Sequence, residues 1–248
     1  MKDEELLRYS RQIMLPAFDV EGQERIIQSK VLVIGLGGLG CPVAMYLTAA
    51  GVGELTLVDF DEVDLSNLQR QIAHGQLNIG QPKVESAAQT LLGLNESVKL
   101  NVINKKLSDE EMAAQVELHD AIVDCSDNFT TRYLLNKLAV KYSKPLISGA
   151  AVRMEGQISV FDMRDSESPC YHCLYGDMGD ENLSCAENGI LAPVVGVIGS
   201  LQALETLKCV ARVGKSLKGR LMVFDALSLE WRTMKLSKDP KCKVCSQS

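Results

Sequence analysis

Gly35, Gly37 and Gly40 follow four consecutive aliphatic residues, Val31 to Ile34, in the order Gly-x-Gly-x-x-Gly. No other feature of the chain narrows its fold as far. The aliphatic run reads as a strand buried on both faces. With Gly38 the turn holds four glycines in six residues, and Pro42 falls in the first turn of the helix that follows, where its missing N–H is tolerated. This spacing lets backbone N–H groups approach phosphate oxygens at a helix N-terminus. The next strand, Leu55 to Val58, runs into Asp59, about twenty residues on, where a carboxylate can hold a ribose hydroxyl. The unit reads as a nucleotide site and leaves NAD and ATP both open. Its non-functional reading is a glycine turn kept only for tight packing.

The rest of the chain continues the alternation. Residues 3–29 read as two short helices with a break at Phe18 and Asp19. Helices are expected over Pro42 to Ala50, stopped by Gly51, and over Lys83 to Leu94 and Thr130 to Tyr142; strands are expected over Lys99 to Lys105, Ala121 to Asp124 and Pro145 to Ala151. Ser66 and Asn67 are candidates to cap a short helix, and Ser108-x-x-Glu111 is a capping box. The fold class expected is α/β, a Rossmann-like doubly wound parallel sheet. After about residue 155 the pattern changes. Gln157 to Asp162, Arg220 to Phe224 and Trp231 to Leu236 read as antiparallel strands continuing the sheet, with an apolar helix over Val194 to Val213. No linker or repeat divides the 248 residues. One domain is expected, made of N-terminal helices (1–30), a nucleotide-binding half (31–154) and an antiparallel extension with a metal site (155–248).

A formal net charge of −6 and the lack of a basic run argue against a nucleic-acid partner. No apolar run is read as approaching the ~20 residues of a membrane span, and Met1 to Glu5 lacks the pattern of a signal peptide. The expected setting is cytoplasmic. There, eight cysteines point to metal ligands or reactive thiols rather than disulfides.

Cys170-x-x-Cys173 and Cys242-x-x-Cys245 are the strongest chemical signal. Two such knuckles supply the tetrahedral four-sulfur set that Zn²⁺ favours. The long gap between the pairs means that such a site pins the C-terminal tail onto the middle of the chain, and its closed set implies a structural role. A redox Cys-x-x-Cys or a chance pairing is the alternative. His172, between two ligands, reads as a bystander. Arg70, in the run Asn67-Leu68-Gln69-Arg70, and Lys83 both follow the second strand, near the sheet end where the glycine turn would hold phosphates. A bound dinucleotide rarely needs two such cations, whereas a triphosphate attacked by an anion does. Asp127 and Asn128 follow the fourth parallel strand, and Asp127 is the expected Mg²⁺-facing carboxylate, with a helix N-cap as its bland alternative. Cys185, in a polar loop beside the first knuckle, is either a nucleophile or an incidental thiol. Arg8 and Arg11 share a helix face, which from spacing alone reads as solvated. Cys41, Cys125 and Cys209 read as small core residues. Three scattered histidines offer no Ser/His/Asp or Cys/His constellation.

Taken together, the glycine turn, Asp59, the Ser66-Asn67-Leu68-Gln69-Arg70 run, Lys83, Asp127, Asn128 and the paired Cys-x-x-Cys resemble the MoeB/ThiF family, bacterial relatives of the ubiquitin-activating enzymes. The resemblance runs from Arg8-Tyr9-Ser10-Arg11-Gln12 to Cys245. It implies a homodimer that uses ATP and Mg²⁺ to adenylate the C-terminal glycine of a small ubiquitin-like sulfur-carrier protein ending in Gly-Gly, releasing pyrophosphate. By the same resemblance Gly38, Asp59, Ser66, Asn67, Arg70, Lys83, Asp127 and Asn128 match nucleotide contacts. Arg11 matches an arginine that reaches the neighbouring subunit's site, and the four paired cysteines match zinc ligands. Cys185 matches a cysteine implicated in sulfur transfer in some members and dispensable in others. Ser148 to Gly156 resembles the molybdopterin branch more than the thiamin branch.

The expected chemistry is consistent with the missing histidine machinery. A terminal α-carboxylate, with pKa ~3.5, is ionised at pH 7 and needs no general base. The competing expectations are an NAD-dependent oxidoreductase and a non-catalytic nucleotide-binding scaffold that docks a partner protein.

Overall fold

The computed structural model describes residues 1–177 and 189–246. Five strands form its parallel core: β1 (Lys30–Ile34), β2 (Glu54–Val58), β3 (Lys99–Ile103), β4 (Ala121–Asp124) and β5 (Pro145–Val152). Three antiparallel strands continue it, namely β6 (Glu155–Asp162), β7 (Arg220–Asp225) and β8 (Glu230–Lys235), giving the order β3-β2-β1-β4-β5-β6-β7-β8. Val33 pairs with Leu57 on one side and with Val123 on the other. The chain therefore winds outward from β1 through β2 to β3, then returns to β4. The carboxyl ends of β1 and β4 frame the point where the winding reverses, which is where an open α/β sheet holds its ligand.

Helices cover both faces. Val31 and Val33 look toward α4 (Gly40–Ala50), α5 (Lys83–Leu94) and α9 (Ala192–Ala211), whose Leu47, Val84 and Ile198 share one core cluster with them. Leu32 and Ile34 look the other way, into a cluster with Val116 of α6 (Asp109–Leu118), Leu135 of α7 (Phe129–Lys141) and Tyr171 of α8 (Tyr171–Tyr175). Alternate residues of one strand thus serve two cores, which is why its sequence is aliphatic throughout. Gly51, at φ 87°, ends α4 in the left-handed conformation. Ser108 Oγ accepts the Glu111 N–H at 3.2 Å while Glu111 Oε2 accepts the Ser108 N–H at 3.0 Å, the expected capping box.

Three expectations need correction. The N-terminal segment forms three helices, not two: α1 (Asp3–Arg8), α2 (Ser10–Ile13) and α3 (Asp19–Gln28). Tyr9 makes the extra break. It is buried, its hydroxyl accepts Asn95 Nδ2–H at 2.9 Å, and its backbone leaves the helical region at φ −98°, ψ 10°. The short helix near Ser66 is a 3-10 turn, Leu65–Asn67, capped by Asp64, whose Oδ1 accepts the Ser66 N–H at 2.7 Å. Finally, α9 is long and apolar enough to cross a membrane, with an 18-residue window of mean hydropathy 1.4. Here it is a core helix. Gln202, Glu205 and Thr206 are buried on it and hydrogen-bonded to neighbouring strands, loops and helix carbonyls.

Candidate functional site

The glycine turn is shaped by its own tight packing. Gly35 adopts φ +91°, and a Cβ there would stand 2.8 Å from the Cys125 carbonyl oxygen, so the turn lies directly against the loop that follows β4. A Cβ at Gly38 would stand 2.8 Å from Val195 Cγ2 of α9. Over Gly37, by contrast, a Cβ would meet only Gln71 Nε2, at 3.7 Å. Among the described residues no protein acceptor faces the N–H groups of Gly37, Gly38 and Leu39. Three N–H groups without a protein acceptor among the described residues, at the start of α4, have the arrangement of an anion cradle.

Asp59, at the end of β2, is buried and already has backbone partners. Its Oδ2 accepts the Leu36 N–H at 2.6 Å and its Oδ1 accepts the Asp61 N–H at 2.9 Å. The carboxylate therefore fixes the turn as well as lying beside it, and each oxygen keeps a lone pair for a ribose hydroxyl. Lys83, the first residue of α5, is 6% exposed, and its Nζ donates to Asp61 Oδ2 at 2.8 Å. A buried ammonium needs a paired anion to offset its lost hydration. Asp61, missed in the sequence, supplies it. An acidic residue two positions beyond the aspartate that ends β2 and ahead of a lone lysine was the available signal. Arg70 donates from Nη1 to the Ser66 carbonyl at 3.1 Å, which folds the guanidinium back along the 3-10 turn beside Asn67, Leu68 and Gln69.

The β4–α7 loop forms the facing wall. Asp124 is fully buried; its Oδ1 accepts from Ser126 N (3.1 Å) and Ser126 Oγ (2.6 Å), and its Oδ2 from Ser148 Oγ (3.0 Å). Asn128, not Asp127, caps α7. Asp127 is exposed, and among the described residues its carboxylate accepts only a long 3.4 Å bond from Asn128 Nδ2. Beneath this loop Arg132 Nη2 donates to Ser126 O (2.7 Å) and Gly149 O (3.1 Å), and Gln202 Nε2 donates to Asp124 O (2.8 Å). Against the cost of burial, Asp124 raises the pKa of the Arg132 guanidinium and holds it charged. Arg132 and Asn136, four residues apart and in step with the Asn128 cap, put a polar pair on the buried face of α7, the signal that sequence reasoning passed over.

Two expected residues lie elsewhere. Arg11 is exposed and lines a recess of about 270 Å³ with Arg8, Tyr46, Ala49 and Leu207, toward the C-terminal end of α4 and away from the glycine turn. Within one chain it does not join Arg70, Lys83 and Asp127. Cys185 lies outside the described residues.

The four paired cysteines converge. Their sulfurs all lie within 4.8 Å of one another, with separations of 3.9 Å for Cys170–Cys173, 3.6 Å for Cys170–Cys242 and 3.5 Å for Cys173–Cys245. Four thiolates 2.3 Å from a tetrahedral ion stand about 3.8 Å apart, so the set fits Zn²⁺. Burial raises the Cys242 pKa, but the N–H groups of Cys245 and Val244 outweigh it and pull the thiol below its ordinary range. His172 is more than a bystander. Its Nδ1 lies 3.5 Å from Cys242 Sγ and its Nε2 2.9 Å from Asp177 Oδ1, so it supports a ligand without being one. Asn136 Nδ2 does the same for Cys170, at 3.6 Å. Cys41, Cys125 and Cys209 are buried core thiols as expected; desolvation raises Cys41 and Cys209 to about 12 and pushes Cys125 up as well.

The ThiF family model matches residues 9–244. The chain is 50% identical over 247 residues to the molybdopterin-synthase adenylyltransferase of Escherichia coli K12, covering all of this chain and 99% of that protein. It is 48% identical to the enzyme of the same name from Salmonella typhimurium LT2, with the same coverage. The crystal structure of Escherichia coli MccB with ATP superimposes at a TM-score of 0.84 over 96% of this chain and 74% of that one, at 24% identity, a likeness of fold.

Proposed function

Since the chain belongs to the ThiF family, we propose that it is a molybdopterin-synthase-type adenylyltransferase. It adenylates the C-terminal glycine of a small ubiquitin-like sulfur-carrier protein ending in Gly-Gly, with release of pyrophosphate. Full-length identity of 50% to an adenylyltransferase of that name carries the reading. What supports it is the order of elements at the carboxyl ends of the strands: the N–H cradle follows β1, the buried Lys83 follows β2 and the Asp127 carboxylate follows β4.

The reaction joins two anions. A carboxylate oxygen of the carrier bonds to the α-phosphorus of ATP, and the bond from that phosphorus to the bridging oxygen breaks, its electron pair leaving with pyrophosphate. No proton needs to move, because the carboxylate is ionised at neutral pH. The barrier lies in approach and in the charge that collects on the leaving group. The cradle of Gly37, Gly38 and Leu39 holds the phosphates, and Asp59 holds the ribose. Lys83 and Arg70 face the accumulating charge, with Ser66 and Asn67 ordering the turn that carries Arg70. Asp127 and Asn128 would hold the Mg²⁺ that accompanies ATP; when bound, that ion neutralises phosphate charge.

Arg11, remote from the cradle of its own chain, serves a second copy in a homodimer on this reading. Cys170, Cys173, Cys242 and Cys245 hold a structural Zn²⁺. The setting is cytoplasmic. Between the two carrier types, Ser148 to Gly156 favours the molybdopterin pathway over the thiamin pathway. The test is ATP–pyrophosphate exchange with purified carriers of each type. Exchange that requires Mg²⁺ and an intact Gly-Gly end is expected with the molybdopterin-type carrier. No exchange with either carrier overturns the proposal.

A further inference from the structure

The imidazole of His74 touches the glycine turn from below, where no sequence motif placed it. His74 is 7% exposed, with Nε2 3.1 Å from the Leu36 carbonyl oxygen and Nδ1 2.9 Å from Ser86 Oγ of α5. A carbonyl only accepts, so Nε2 carries the proton and Nδ1 accepts from the Ser86 hydroxyl. Both ring nitrogens are thereby committed, and the ring cannot turn without losing both bonds. Burial sets the ring below the ordinary imidazole pKa, with Lys83 adding to that and the Leu36 carbonyl and Asp59 opposing it. It is neutral at pH 7.

Leu36 is gripped at both ends. Its N–H donates to Asp59 Oδ2 at 2.6 Å, and its carbonyl receives His74 Nε2–H and, at 3.3 Å, Cys41 Sγ–H. Two successive peptide planes of the turn are therefore held from outside. In a trans peptide the N–H points opposite to the carbonyl of the same plane. Drawing the Leu36 carbonyl toward His74 thus turns the Gly37 N–H the other way, out of the protein's hydrogen bonding and into the cradle, where no protein acceptor meets it.

We propose that His74 is a positioning residue for the nucleotide: by donating from Nε2 to the Leu36 carbonyl it aims the Gly37 N–H at a phosphate oxygen. This deepens the adenylylation reading and rests on it. A core histidine that merely fills space would affect stability and every kinetic constant alike. A positioning residue acts on nucleotide affinity first.

Two amide replacements separate these roles. In His74→Gln the side-chain NH₂ reaches the place of Nε2 and still donates to Leu36. In His74→Asn the shorter amide reaches only the Ser86 side. ATP binding is measured by calorimetry on the full chain, and KM for ATP and for carrier by pyrophosphate exchange. His74→Asn is expected to weaken ATP binding at least tenfold, with KM for carrier within twofold of wild type; His74→Gln restores ATP binding to within about threefold. Equal ATP affinity in wild type and His74→Asn overturns the proposal, as does equal weakening in both variants. In either case normal wild-type exchange leaves the adenylylation reading intact. A wild-type chain that neither binds ATP nor exchanges pyrophosphate overturns both.

Discussion

Asn128 Oδ1 accepts the Thr131 N–H at 2.9 Å, and with this bond the cap of α7 is filled by the residue after Asp127 rather than by Asp127 itself. The carboxylate expected to face Mg²⁺ thus has no helix to stabilise. Asp127→Ala should abolish exchange activity while leaving the urea midpoint within experimental error. Asn128→Ala should cost about 1 kcal/mol of stability, the usual value of a lost N-cap. Unfolding curves for the two variants check the contrast, and an Asp127→Ala enzyme at full rate sinks the assignment.

Lys83 is buried at the start of α5 and held by Asp61. Replacing it with Met keeps its volume and leaves Asp61, with a half-exposed side chain, free to be hydrated. Lys83→Met is therefore expected to fold and to lose about 10²–10³-fold in exchange rate, the scale for removing one group that stabilises developing charge. Arg70→Ala should fold equally well and lose activity in the same direction. Exchange assays at saturating ATP measure both.

Metal analysis should return about one zinc per chain. Cys242→Ser should lose the metal and unfold at lower urea concentration than wild type; structural zinc sites in finger peptides contribute ~10–16 kcal/mol to folding, so even a fraction of this is visible. A zinc-free chain of undiminished stability would remove the four-cysteine assignment.

Acid should weaken the fold through its buried histidines. His119 Nδ1 donates to the Gln115 carbonyl and Nε2 accepts from Thr56 Oγ1 at 2.7 Å, and burial depresses its pKa as it does that of His74. On acidification the unfolded chain takes up protons at these rings near pH 6.5, while the folded chain resists until lower pH. Stability is therefore fully present above that value and is lost as the pH falls below it. Urea midpoints between pH 7.5 and 5.5 should decline, and His119→Gln should flatten the decline. An unchanged slope in that variant would rule out the His119 contribution.

Periodicity and punctuation made most of the fold legible. The aliphatic β1, the glycine turn, α5 beginning at Lys83 and the Ser108–Glu111 box all stand where local rules put them. Cysteine spacing revealed the metal cluster because two short knuckles need no tertiary information to be recognised. Residues whose partners come from distant carbonyls escaped notice. His74 lies in an irregular loop with no period to betray its burial, and its role depends on Leu36, 38 residues away. Arg132 and Gln202 sit on helices that read as ordinary, yet they bind loop and strand-end carbonyls that only the assembled sheet presents. Asp64 displaced Ser66 as a cap because both residue types cap well, and sequence alone does not rank neighbours. Tyr9 broke an N-terminal helix for a hydrogen bond to Asn95, a contact no helical pattern encodes.

β8 lies on the margin of the eight-stranded sheet with every one of its residues exposed, and the chain beyond it returns to the Cys170 knuckle to complete the sulfur set. A bound ion there is a clasp: β8 cannot peel away until the knot behind it is undone. Protease resistance and slow amide exchange along this margin would then follow the zinc supply, and starvation for the metal would show first as fraying there.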